Sequence, residues 1–245
     1  MKKTGLSLVC CLFTTLLFAQ LYYTNKASNW GVSHTYLSPR SGGGISCFDF
    51  DNDGWDDLTM ATADGETIHF YKNMNGSFLR LPDLVPTTEE AKQILWVDFD
   101  NDGDQDLFVA SFNGINRLYQ QTAPLVFTDI TTAAGLPNFY TDTYGACFGD
   151  YDRDGWLDLY FSVRLLPAQG GSLHVLYHNN GDGTFSDVST DSNTSDVGRR
   201  PFCSSFIDYN NDMWPDIYTA HDRSFNPNTL LENQGDGTFV DKGEA

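Results

Sequence analysis

The chain has 245 residues, 33 of them acidic and 14 basic, for a formal net charge of −19. That balance excludes a nucleic-acid partner, because such binding needs a basic footprint. Frequent glycine (22 residues), a 14% aromatic share and scarce helical apolar stripes favour short strands joined by tight turns.

Residues 1–20 open with Lys2 and Lys3, run through the apolar stretch LSLVCCLFTTLLFA and end at Ala19 and Gln20. This is the pattern of a secretory signal peptide, and the stretch is shorter than the roughly 20 residues a membrane-spanning helix needs. Ser7, Leu8 and Val9 put no small residue beside Cys10, which argues against a lipoprotein. Export is the expectation, to a secreted or cell-surface location. Cleavage after Ala19 or Gln20 leaves 12 basic residues against 33 acidic, a charge of −21. Cys47, Cys147 and Cys203 then remain, an odd number at unmatched places that defines no disulfide framework. They are expected as small buried apolar residues on strands.

Residues 21–245 repeat themselves, which is the most informative feature of the sequence. Four segments align without gaps: DFDNDGWDDL from Asp49, DFDNDGDQDL from Asp98, DYDRDGWLDL from Asp150 and DYNNDMWPDI from Asp208. A second element follows each, beginning at Phe70, Leu118, Leu176 and Leu230, the last two reading LYHNNGDGTFSDV and LLENQGDGTFVDK. In the third unit Tyr144–Phe148, Leu159–Val163, Leu173–His178 and Phe185–Val188 read as strands, with a Gly-rich turn at Asn180–Gly183. Four short antiparallel strands repeated every 50 residues or so predict all-β β-propeller blades.

Each acidic segment forms a nine-residue loop, at 49–57, 98–106, 150–158 and 208–216. In the first, Asp49, Asp51, Asp53 and Asp57 occupy positions 1, 3, 5 and 9, with Gly54 at position 6 for the sharp turn. Alternate carboxylates turned inward, joined by the carbonyl of Trp55 at position 7, make a hard, oxygen-only set suited to calcium. No histidine or cysteine lies in any loop, which disfavours zinc and copper. An EF-hand would need Glu at position 12, where Met60, Val109, Phe161 and Thr219 stand, followed by strand-like flanks. Solvated Asp-rich turns are the plain alternative, but four in register would repel themselves without a cation. The fourth loop has Asn210 for an acid and Met213 for the glycine, so it is expected to fill last.

With these motifs in view the chain resembles the FG-GAP or VCBS repeat family, which includes the integrin alpha-subunit head, cartilage acidic protein and many exported bacterial proteins. The resemblance implies a propeller, commonly of seven blades, with up to four Ca²⁺ in the hairpin loops. It places ligands at Asp49, Asp51, Asp53, Trp55 and Asp57; at Asp98, Asp100, Asp102, Asp104 and Asp106; at Asp150, Asp152, Asp154, Trp156 and Asp158; and at Asp208, Asn210, Asp212, Trp214 and Asp216. About four repeats stand where seven are usual, and the opening YTNKASNWGV matches FTDITTAAGL in spacing, so a piece of a larger ring is expected, with the opening segment as an outer strand of its last blade.

The resulting expectation is a bacterial, exported, calcium-binding adhesion or ligand-binding module whose protein or glycan partner meets the face opposite the calcium loops. That face would carry the connections at Phe112–Ile115, 164–171 and 221–228, with Arg164, Arg223 and Phe225 as candidate contacts. A calcium-dependent polysaccharide lyase or hydrolase on the same scaffold, or an accessory module of a larger enzyme, is the alternative. No G-x-S-x-G, H-E-x-x-H or phosphate loop supports it. His174 and His178, four apart on one strand, are the histidine pair an enzyme could use.

Overall fold

The computed structural model describes residues 24–38, 42–166, 171–195, 201–221 and 227–243. The predicted leader lies outside them, as do Arg223, Phe225 and the side chain of Arg164. The described chain is all-β apart from one 3₁₀ turn at Ser28–Trp30, and its strands form four antiparallel blades. The first blade contains β1 (Ile45–Phe48), β2 (Asp57–Met60), β3 (His69–Asn73) and β4 (Phe78–Arg80). In the second are β5 (Glu90–Val97), β6 (Asp106–Gly114), β7 (Arg117–Ala123) and β8 (Val126–Asp129). The third has β9 (Thr141–Gly149), β10 (Asp158–Leu166), β11 (Gly171–Asn179) and β12 (Phe185–Asp187). The fourth has β13 (Pro201–Ile207), β14 (Asp216–His221), β15 (Thr229–Asn233) and β16 (Phe239–Asp241).

Registers repeat from blade to blade. Leu58 faces Tyr71, Leu107 faces Tyr119, Leu159 faces Tyr177 and Ile217 faces Leu231. Blades two and three also join at one corner, where Phe112 and Gly114 of β6 pair with Asp142 and Thr141 of β9.

The cores lie between blades, which explains why the second strands of the two inner blades, β6 and β10, read as almost continuously apolar. On β6, Leu107 and Val109 pack with Phe50 and Phe70 of blade one, while Phe108 and Ala110 turn to Phe161 and Leu159 of blade three. On β10, Tyr160 faces the other way, into a cluster with Ile217, Leu231 and Phe239. A strand buried on both faces cannot alternate in polarity. Each fully buried Phe or Leu contributes on the order of 1.5–3 kcal/mol.

After blades two and three, and in the opening segment, the chain makes one recurrent turn. Ala134 and Leu136 donate to the carbonyls of Ile130 and Thr131, and Ser192 and Thr194 to those of Val188 and Ser189. Trp30 and Val32 do the same toward Lys26 and Ala27, so the spacing match of the opening segment is a match of conformation. The opening residues 24–38 carry this turn, and the segment leading into it, through Tyr23, lies outside the described residues. The turns receive the next blade: Phe185 N–H donates to Ala134 O at 2.9 Å and Phe239 N–H to Ser192 O at 2.8 Å.

The three cysteines divide. Cys147 is packed beside blade four and burial pushes its thiol up to about 12, whereas Cys47 and Cys203 are exposed. Strand membership did not ensure burial, because β1 and β13 leave alternate residues uncovered.

Candidate metal centres in the blade hairpins

All four acidic loops fold alike, and the backbone explains why. Position 4 (Asn52, Asn101, Arg153, Asn211) and position 6 (Gly54, Gly103, Gly155, Met213) both take positive φ. Two left-handed residues two apart curl the loop so that its side chains point inward. Met213 adopts this conformation at φ 73, where an L-residue pays a steric cost.

The carboxylate at position 1 ties the turn. Asp49, Asp98, Asp150 and Asp208 each accept the N–H groups of positions 5 and 6 at 2.7–3.1 Å. Position 5 (Asp53, Asp102, Asp154, Asp212) then accepts the N–H of position 7 at 2.8–3.0 Å. Trp55, Asp104, Trp156 and Trp214 therefore take part through their amides.

Position 9 is the buried anchor. Asp57, Asp106, Asp158 and Asp216 are wholly inaccessible to solvent. One oxygen of each accepts the N–H of position 2 (Phe50, Phe99, Tyr151, Tyr209), and the other accepts an N–H from the third strand (Asn73, Gln121, Asn179, Asn233). Burial pushes Asp57 up to about 6 and Asp106 up to about 7, against the lowering pull of those two bonds. Asp158 and Asp216 rise for the same reason. Neighbouring loop carboxylates add to the effect, so each site accumulates more negative charge than it comfortably holds.

The loops bring the predicted oxygens together. Asp49, Asp51 and Asp53 offer oxygens within 4.8 Å of one another, as do Asp98, Asp100 and Asp106, and Asp150, Asp152 and Asp154. Among the described residues no carboxylate triple of this kind forms in the fourth loop, where Asn210 accepts the N–H of Asp212. Asp104 stays outside the converging set of the second loop. At position 3, one oxygen of Asp51 and one of Asp100 are buried without a hydrogen-bond partner. A buried orphan carboxylate oxygen is costly and suits a bound cation.

Several functional residues lie outside the loops and were missed from sequence. The third strand sends one side chain to each site, from the residue just before the anchoring N–H. Lys72 pairs with Asp51 and Asp53, Gln120 donates to Asp100 at 2.6 Å, and His178 lies 3.3 Å from Asp152 and 3.2 Å from Asp158. Glu232 holds the fourth place and accepts from Tyr209. His178 sits in no loop but reaches the third one from β11, across the hairpin. His174, its supposed partner, is buried and bonded to the Tyr160 hydroxyl at 2.8 Å. The two histidines thus share no site.

The asparagine of the second element is a latch between blades. Asn179 donates from Nδ2 to Phe99 O of the preceding blade at 2.8 Å and to Leu157 O at 3.1 Å. Asn233 does the same to Tyr151 O at 2.8 Å and Pro215 O at 3.0 Å. Phe185 and Phe239 pack on the position-2 aromatics Phe99 and Tyr151. The N-x-G-D-G-T-F pattern advertised a hairpin, and it carries this contact as well. Its first glycine also accommodates the loop tryptophan: a Cβ at Gly181 would lie 2.8 Å from Trp156 Nε1, and one at Gly235 would lie 3.0 Å from Trp214 Nε1.

The opposite end of the blades carries a polar groove of about 410 Å³ lined by Asp64, Thr88, Glu89, Asn113 and Tyr140. These residues come from connections on the side away from the acidic loops, and Tyr140 is 70% exposed. Among the described residues no helix is long and apolar enough to cross a membrane.

No curated protein matches the chain. A solved structure of a lectin from Agrocybe aegerita, described for its specific recognition of non-reducing terminal N-acetylglucosamine, is similar over 80% of this chain and 51% of its own. The identity is 17% and the TM-score 0.41, and the chain spans about half the length of that lectin. The model of the FG-GAP-like repeat matches residues 49–109, 98–161 and 168–219, each match containing one or two of the acidic loops. The chain therefore belongs to the FG-GAP-like repeat family, and its repeats are blades of a β-propeller.

Proposed function

We propose that this chain is an exported binding module whose blades are fixed by calcium and whose partner, a protein or glycan, meets the end opposite the acidic loops. The observation that carries the calcium reading is the buried, unpartnered oxygen of Asp100 within the converging triple of Asp98, Asp100 and Asp106. Three carboxylates this close are stable when a divalent ion neutralises them and takes up the orphan lone pairs. The ion would supply charge neutralisation and nothing more. Residues at positions 1, 3, 5 and 9 of each loop would hold it, with the carbonyl of position 7.

Calorimetric titration of residues 21–245 with calcium chloride tests this directly, alongside melting in EGTA. Each filled site stabilises the fold by about 2.7 kcal/mol once calcium stands at 100 times its dissociation constant. Absence of heat, with a melting point indifferent to EGTA, would refute the calcium reading.

For the partner, the groove around Tyr140 offers an exposed ring beside carboxylate and amide groups, a set that suits hydroxyl-rich or peptide ligands. Retention of the wild type on a glycan and protein array, lost on Tyr140→Ala with the melting point unchanged, is the expected result. Retention by both forms would place the ligand elsewhere. The leader supports export, and a fusion of residues 1–20 to a reporter tests it by fractionation.

A further inference from the structure

The four loops differ in the side chain that the third strand lays against them, and in the first that side chain is a cation. Lys72 Nζ bonds Asp51 Oδ2 and lies 2.8 Å from Asp53 Oδ2, spanning positions 3 and 5 of the loop. The three side chains keep 26%, 12% and 30% of their surfaces exposed, so solvent reaches the group and weakens the pairing, while the geometry still lays the ammonium across both carboxylates. In the second loop Gln120, at the same register, gives only a neutral hydrogen bond to Asp100. Carboxylates converge in both loops, at positions 1, 3 and 5 in the first and 1, 3 and 9 in the second, and only the first meets a cationic third-strand residue.

Building on the calcium reading, we infer that Lys72 is the resident cation of the first loop, which therefore keeps its shape without an ion while the second depends on one. An ammonium bridging positions 3 and 5 must be displaced before a divalent ion can take both oxygens. The two charges cannot share one site, because at such distances they repel. The first loop then becomes the one that calcium fills last, ahead of the fourth in that respect despite its intact set of acids. The substitution at Asn210 weakens the fourth loop by subtraction, and Lys72 weakens the first by occupation.

The test uses residues 21–245 with three single variants. Lys72→Gln should gain one calcium per chain, or bind its last ion at least tenfold more tightly, in calorimetric titration with calcium chloride. It should also melt several degrees below wild type in EGTA, since Asp51 and Asp53 lose their counter-ion. Lys72→Arg keeps the charge and should leave the calcium count unchanged. The reciprocal Gln120→Lys should lose one ion per chain, which keeps the test alive should Lys72→Gln fold poorly. Unaltered stoichiometry and affinity in both Lys72→Gln and Gln120→Lys, with calcium binding intact, would overturn the inference alone. No uptake by any form would overturn the calcium reading and this inference with it.

Discussion

Replacing Asn179 with alanine tests the idea that blades are clipped together by the second sequence element. The fully buried side chain gives two hydrogen bonds, to Phe99 O at 2.8 Å and Leu157 O at 3.1 Å, and accepts one from Gly181 N–H at 3.1 Å. Three bonds at about 1 kcal/mol each, plus about 1–2 kcal/mol for a buried carbonyl left unpaired, give a loss of about 4–5 kcal/mol. For a chain of this size each kcal/mol moves the melting point by about 2–4 °C. Asn73 is the internal control. Its side chain bonds only within its own blade, to Asp56 O at 2.9 Å and Gly76 N at 2.8 Å, both near solvent. Asn73→Ala should cost about 1 kcal/mol. Urea unfolding followed by tryptophan fluorescence, at fixed calcium, gives both midpoints. In both variants the backbone N–H to the position-9 aspartate survives, so the difference isolates the contact between blades. Equal midpoint losses for the two variants would refute the latch.

Other consequences are equally measurable. In EGTA the raised carboxyls of Asp57 and Asp106 favour the protonated folded state, so their contribution to stability is full below about pH 4 and is lost as pH climbs through 6 and 7. Saturating calcium should flatten that decline, and melting curves across the range compare the two conditions. Met213→Gly should stabilise by a net 0.5–1 kcal/mol or so, because the side chain is 68% exposed and its positive φ is relieved at the cost of some chain entropy. Gly181→Ala should lose about 1–2 kcal/mol from its φ of +71° alone, and more through the clash with Trp156. In a Trp156→Ala background only the backbone share should remain, which a double-mutant cycle reads out.

The parts legible in the sequence are those where local charge and turn chemistry decide the structure. Aspartates at positions 1, 3, 5 and 9 reveal their loop because the spacing recurs four times beside strand-like flanks, and the aromatic and β-branched runs there are strands for the same local reason. The left-handed position 4 was not legible, since Asn52 and Arg153 share no obvious turn signature. Contacts across the hairpin were also hidden: Lys72 and His178 lie about 20 residues beyond the acids they touch, and only the strand register brings them there. Cysteine burial failed as an expectation at Cys47 and Cys203, though not at Cys147, because exposure depends on which neighbouring blade covers a face. Asn179 and Asn233 read as turn residues, and their reach toward an earlier blade needs the packed structure to be seen.

That reach has a direction. Asn179 and Phe185 grip residues made earlier in the chain, as do Asn233 and Phe239, and Phe185 and Phe239 close their backbone bonds on turns already passed. During synthesis blades three and four thus meet contact residues that precede them in the chain. Assembly in the order of translation lets every hairpin cover its predecessor's sticky flank as it emerges, which limits the time that unsealed β-structure is offered to other chains.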